Sequence, residues 1–168
     1  MKNDIKFMGI ALEEAEKCLE QKILTVGAVL VVNGLVVGKC HKDNFHSYHT
    51  DHAETLLLRQ YFKDRVVRRG NQTISIYTTM EPCMMCLGLM MHLPVDKLFY
   101  AAKDPYGGGC CILSHPHILP FRHQEKPMQV TSCLCENEAK NQLKRFLDVN
   151  EHDFYKDKNN LLVHYILS

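Results

Sequence analysis

At 168 residues, 46% hydrophobic and 23% charged, the chain is long enough for one domain with its own hydrophobic core, which excludes dependence on disulfide staples. The net charge of +1 supplies no long-range field for gathering polyanions, so extensive nucleic-acid contact would require a local basic patch. No apolar run reaches the length of a membrane span and no secretory leader precedes the first predicted helix, so a cytoplasmic protein whose eight cysteines are reduced thiols is expected.

Ile5, Met8, Leu12, Ala15 and Leu19 recur at helical spacing, with Glu13, Glu14, Glu16 and Lys17 on the other face, which predicts an amphipathic opening helix. Val26 to Val32 and Leu35 to Val37 are β-branched apolar runs joined by Asn33-Gly34, the pair suited to a two-residue hairpin turn. Their consecutive apolar positions predict strands covered on both faces. Lys39 to Thr50 turns polar and predicts a loop, in which His41, His46 and His49 are read as solvated, with extra metal ligation as the alternative. A second helix is expected from about Asp51, with Asp51 as its cap and Glu54 completing a capping box.

Thr73 to Thr79 alternates apolar and polar residues as a strand does, and Pro82 suits the first turn of the helix that follows. Cys83 and Cys86 fall on the first turns of that helix, where free backbone N–H groups favour thiolates. Met84, Met85, Met90 and Met91 continue it as core filler. Leu98 to Ala102 predicts another strand and Asp104 to Gly109 a glycine-rich loop, with Asp104 and Tyr106 as neighbours of a ligand crevice. Met128 to Ser132 predicts a last strand, and Glu136 to Leu147 a helix with Ala139, Leu143, Phe146 and Leu147 inward. Residues 1–147 are read as one domain. Residues 148–168 are read as its C-terminal extension, polar at first and apolar again from Leu161 to Leu167.

The chemistry concentrates in Pro82-Cys83-Met84-Met85-Cys86 together with His52-Ala53-Glu54. Two cysteines separated by two residues can present both thiolates to one metal, and a histidine from elsewhere adds a third ligand suited to zinc. Three protein ligands leave a fourth position open for a water that the metal makes acidic. Glu54, two residues from the histidine, sits where a proton carrier is needed. The competing readings are a closed structural zinc site and an ordinary core helix that carries thiols. Cys110, Cys111, His115, His117, His123, Cys133 and Cys135 make up a second set of ligand-type residues whose spacing matches no zinc pattern; buried free thiols account for it equally well.

Val26-Gly27-Ala28-Val29, His52-Ala53-Glu54 and Tyr77-Thr78-Thr79-Met80-Glu81-Pro82-Cys83-Met84-Met85-Cys86, with Gly88 following, resemble the cytidine deaminase-like superfamily, in the branch of tRNA adenosine deaminases, guanine deaminases and fungal-type cytosine deaminases. The resemblance implies an α/β fold, a three-layer α/β/α sandwich on a five-stranded mixed sheet with the last strands parallel, and a homodimer. It implies Zn2+ on His52, Cys83 and Cys86, with Glu54 as proton shuttle and the backbone N–H groups of Ala53 and Cys83 in contact with substrate. The implied reaction is hydrolytic removal of an exocyclic amino group as ammonia.

For the substrate, the position where relatives place a base- or ribose-binding asparagine is Lys42, with Asn44 two residues on; Asn44 is the candidate and a plain turn residue the alternative. The segment from Lys144 to Asp157 is similar to the end of fungal-type cytosine deaminases, by which Phe154 and Asp157 would form a lid; a surface-packed amphipathic tail is the alternative. A small nucleobase, nucleoside or nucleotide of cytosine or guanine type is the favoured substrate, given the charge, with a tRNA adenosine as the alternative. A zinc-stabilised binding protein without turnover is the reading from another class.

Overall fold

The computed structural model describes residues 2–43, 50–63, 72–115, 117, 119–150, 154, 157 and 160–167. Helix α1 (Lys2–Glu20) leads into a hairpin of β1 (Gly27–Val32) and β2 (Leu35–His41), followed by α2 (Ala53–Phe62), β3 (Ile74–Met80), α3 (Met84–His92) and β4 (Lys97–Ala102). A 3₁₀ turn at Cys110–Ser114, a short helix α4 (Phe121–Glu125), strand β5 (Gln129–Thr131) and helices α5 (Glu136–Val149) and α6 (Leu161–Leu167) complete it. The strands form one five-stranded sheet in the order β2-β1-β3-β4-β5. β1 runs antiparallel to β2 and β3, whereas β3, β4 and β5 are mutually parallel, so the expected mixed sheet with parallel last strands is present.

β1 and β3 are buried at every position because helices cover both faces of the sheet centre. α1 lies on β1, β2 and β3 and carries α5 beside it, while α2 packs on β1 and β2 and touches α3. Gly27 permits the close approach of α1 to the sheet: a Cβ there would stand 2.1 Å from the Ala11 carbonyl oxygen. At the hairpin, Asn33 and Gly34 adopt positive φ of 51° and 80°, the conformation this turn requires.

Several expectations are corrected. β2 is an edge strand whose Leu35, Val36 and Val37 are exposed, so its apolar run does not mean cover on both faces. It also continues to His41 through the stretch predicted as loop, since Lys39, Cys40 and His41 find register partners in Val29, Ala28 and Gly27. Glu14, placed by periodicity on the wet face of α1, is buried. Lys17 and Lys39 approach its carboxylate at 2.9 Å and His41 at 3.3 Å, which satisfies the charge and ties α1 to the sheet edge. Met84 and Met85 are 52% and 37% exposed and are not core filler, whereas Met90 and Met91 are buried as expected. Asp51 does not cap α2; it pairs with Arg59, and the capping-box bond comes from Thr55, whose hydroxyl oxygen accepts the His52 N–H at 3.0 Å. Glu54 is thereby free of a capping role.

Helix α6 reaches the core of the sheet domain. Leu162 and Ile166 of α6 belong to the hydrophobic cluster with Ala139 and Leu143 of α5. The Tyr165 hydroxyl donates to Glu136 at 2.6 Å and accepts the Lys103 N–H at 2.8 Å.

Candidate active site

Two helix starts meet over the buried centre of the sheet. His52 immediately precedes α2, Cys83 is the N-cap residue of α3, and Cys86 lies in the first turn of α3. Pro82 therefore stands outside α3, two residues before its first helical residue Met84, and not in its first turn as the sequence suggested. His52 Nδ1 lies 3.5 Å from both sulfurs, and the sulfurs lie 3.6 Å apart. Two thiolates and an imidazole on a tetrahedral zinc at ordinary bond lengths stand about 3.8 Å (S to S) and about 3.6 Å (S to N) apart. The donor set thus fits zinc in identity and in spacing. Among the described residues, these are the His, Cys, Asp and Glu side chains that converge closely enough to hold a metal ion.

Protonation follows from that crowding. The hydrogen bond from the Cys86 thiol, aided by His52, pulls the Cys83 thiol down to about 3 against the effect of burial. Cys86 is pushed far up because it keeps the proton that Cys83 gives away, and the bond to Cys83 raises His52. One thiolate and one thiol sharing a proton form a pair from which a metal ion displaces that proton.

Glu54 sits beside this group at 3% exposure. Its Oε1 accepts the Thr78 hydroxyl at 3.1 Å, and its Oε2 stands 3.6 Å from the Cys86 sulfur. Burial raises its carboxyl above the usual range. Thr78 was legible only as part of a strand; that its hydroxyl orients Glu54 follows from the inward direction of alternate β3 side chains. A cavity of about 60 Å³ opens over Glu54, lined by Leu24, Val26, Lys42, Ala53, Met80 and Asp104 with His52, Cys83 and Glu81. This volume admits several waters.

Ala53 is therefore at the cavity, on the first turn of α2 where N–H groups lack helical partners. Lys42 lines the cavity, and Asn44, like His46 and His49, lies outside the described residues. Phe154 and Asp157 are not among the lining residues. Phe154 is half-exposed, with its ring 5.7 Å from that of Tyr106, and its carbonyl accepts the Asn160 side-chain amide at 2.7 Å. Asp157 is exposed and its carbonyl accepts the Asn160 N–H at 3.0 Å. In the second set, Cys133 and Cys135 both take left-handed backbone conformations, and the described cysteines are free thiols.

Known proteins are similar to this chain in sequence and fold. The family model for the cytidine and deoxycytidylate deaminase zinc-binding region matches residues 1–102. The chain is 31% identical over 147 residues to the tRNA-specific adenosine deaminase of Bacillus subtilis (strain 168), covering 87% of this chain and 89% of that one. It is 33% identical over 146 residues to the tRNA-specific adenosine deaminase of Haemophilus influenzae, covering 85% and 82%. A solved structure from work on A-to-I editing by tRNA:A34 deaminases at the wobble position superimposes with a TM-score of 0.64 at 28% identity, covering 82% of this chain and 98% of that one. Guanine deaminase of Nitrosomonas europaea superimposes with a TM-score of 0.66 at 18% identity over 84% and 83%, a likeness of fold.

Proposed function

The chain belongs to the cytidine and deoxycytidylate deaminase family through its zinc-binding region, and from that premise we propose that it is a zinc-dependent hydrolytic deaminase acting on an adenosine of tRNA. The observation that carries the reading is the convergence of His52 Nδ1 and the Cys83 and Cys86 sulfurs at 3.5 to 3.6 Å, with the Glu54 carboxylate anchored beside them under a cavity. His52, Cys83 and Cys86 would hold zinc, which when bound would make a water acidic enough to serve as nucleophile near neutral pH. Glu54 takes the proton of that water and delivers it to the ring nitrogen next to the carbon under attack. Thr78 keeps one carboxylate oxygen fixed and leaves the other toward the metal ligands. The second proton goes to the departing amino group, so that water and the amidine become a carbonyl and ammonia. Ala53, on the first turn of α2, offers an N–H donor to the ring as it enters.

The tRNA substrate is supported by relatives named tRNA-specific adenosine deaminases at 31% and 33% identity over most of both chains. A small nucleobase, nucleoside or nucleotide is the second reading, favoured by the net charge of +1 and the cavity of about 60 Å³. We further read the protein as a cytoplasmic homodimer. In support, an apolar groove of about 510 Å³ runs between α2 and α3, lined by Leu56, Leu58, Phe62, Leu89 and Leu93, a face suited to a second copy. Among the described residues no helix is long and apolar enough to cross a membrane.

The test is ammonia release by the purified, zinc-loaded chain from an adenosine-containing anticodon stem-loop and from cytosine, guanine, adenine, their nucleosides and nucleotides, with Glu54→Ala as control. Release from the stem-loop alone that vanishes in the control supports the tRNA reading. Release from one small molecule replaces it with the second. Silence throughout leaves a zinc-stabilised binding protein.

A further inference from the structure

Glu81 has no part in the chemistry above, yet the loop from Asp104 to Cys110 closes on its carboxylate. Its own backbone is held at the end of β3 by donation of its N–H to the Ala102 carbonyl at 2.7 Å. From there Oε1 accepts the Cys110 N–H at 3.1 Å and Oε2 the Asp104 N–H at 3.4 Å, so one carboxylate ties both ends of the loop. Burial, together with the charge of Glu81 and the bond donated to it, pushes the Cys110 thiol up to about 12.

Between those ends the loop is pressed onto the metal-binding segment. The Gly109 N–H donates to the Pro82 carbonyl at 2.9 Å, and Gly108 forms an isolated β-bridge with Cys83. The approach leaves no room for a side chain: a Cβ on Gly108 would lie 2.6 Å from both the Asp104 carbonyl oxygen and the Glu81 carboxylate, and one on Gly109 2.8 Å from the Met84 nitrogen. Asp104, whose Oδ1 accepts the N–H groups of Tyr106 and Gly107 at 3.0 and 3.1 Å, carries this loop into the cavity wall.

We propose that Glu81 is a positioning residue whose carboxylate holds the Asp104–Cys110 loop closed on Cys83 and thereby sets the wall against which the substrate binds, an inference that rests on the deaminase reading above. The chemistry of the side chain fits the task. Two N–H groups from opposite ends of a loop require two acceptor oxygens; a glutamine offers one and turns an NH₂ toward the other N–H. Glu54, His52 and Cys86 are anchored apart from the loop, through Thr78 and the starts of α2 and α3, and Cys83 is held in addition as the N-cap residue of α3. Loosening the loop therefore weakens substrate binding and leaves the proton transfer in place.

The zinc-loaded full chain carrying Glu81→Gln is compared with wild type on the substrate that wild type turns over. The expected result is KM raised about ten-fold with kcat within about three-fold, at unchanged zinc content. Amide hydrogen exchange at Asp104 and Cys110 is expected to speed up about ten-fold. Gly108→Ala, whose Cβ would meet both the Glu81 carboxylate and the Asp104 carbonyl oxygen, opens the same loop and should reproduce both effects, with the double variant less than additive. Should Glu81→Gln fail to fold, Glu81→Asp, which keeps both acceptor oxygens on a stem one methylene shorter, is tested in its place with the same expected effects. A fall in kcat at constant KM, loss of zinc, unchanged exchange or full additivity would overturn the proposal. A wild type that is silent on every substrate refutes the deaminase reading, whereas unchanged exchange refutes the role of Glu81 by itself.

Discussion

The metal-binding end of the molecule and its C-terminal end are held by different physics. His52, Glu54, Cys83 and Cys86 stand on the starts of two helices above β1 and β3, strands buried at every position, so packed backbone determines where each side chain goes. Around Tyr106, residues of the C-terminal part add polar contacts to the packing of Leu162 and Ile166. The Tyr106 hydroxyl accepts the Leu161 N–H at 2.9 Å, Asn160 reaches the Phe154 carbonyl, and Tyr165 bridges Glu136 and Lys103. Each such bond contributes about 1 kcal/mol. The chemistry is thus placed where the backbone cannot shift, and the rim is assembled from contacts that can be lost one at a time. Substitutions at the first end should separate turnover from folding, and those at the second should alter local stability alone.

The sharpest break in that comparison is Glu54→Ala. Turnover is expected to fall by on the order of 10⁴-fold, with zinc content by metal analysis equal to wild type; near-native activity would remove Glu54 from the mechanism. Next is Cys86→Ala, which leaves two of the three ligand atoms. Zinc is expected to raise the Tm of the wild-type chain and to have no effect on the variant, and an equal rise in both would mean that the ion sits elsewhere.

Glu14 tests whether a buried charge far from the chemistry acts through folding only. Burial opposes its ionisation, but hydrogen bonds from Lys17, Lys39 and His41 outweigh that and hold its carboxyl at about 2. A carboxyl lowered on folding contributes stability above its ordinary value near 4.5, and that stability is lost as pH falls from there toward 2. Urea unfolding of Glu14→Gln should show a loss of about 1–3 kcal/mol at neutral pH and a flatter decline in acid, with kcat unchanged. An acid limb as steep as that of wild type would refute the role of this cluster.

The smallest effect is expected from Tyr165→Phe. It should cost about 1 kcal/mol, speed amide exchange in α6 and leave KM and kcat at wild-type values. Removing residues 148–168 altogether is a poorer probe of a lid, because it also strips Leu162 and Ile166 from the core. Loss of catalytic efficiency in that truncation would mix folding with closure.

The β1–β2 hairpin and the candidate ligand group were legible from local signals, Asn33-Gly34 for the turn and the spacing from Cys83 to Cys86, whereas the parallel last strands were expected from the family resemblance alone. Burial was less legible. Glu14 has the polarity of a wet face and Met84 and Met85 the polarity of a core, yet each lies in the opposite environment, because the first is met by charges from β2 and the others project from α3 away from the sheet. Leu35, Val36 and Val37 read as a covered strand because pattern registers the side chains and not the absence of a neighbouring strand.

The candidate metal-ligand group and Glu54 were visible in the amino-acid sequence, since Cys83 and Cys86 lie three residues apart on one face of a helix start and His52-Ala53-Glu54 completes the motif of the family resemblance. The fold alone revealed that the Thr78 hydroxyl bonds Glu54 and that Glu81 accepts the N–H groups of Asp104 and Cys110, while the expected crevice neighbour Asp104 does line the cavity. Those partners come from different strands and loops, and no local rule of spacing links them. Their meeting is a consequence of how β1, β3 and β4 are ordered in the sheet, which brings the ends of separate segments over one point.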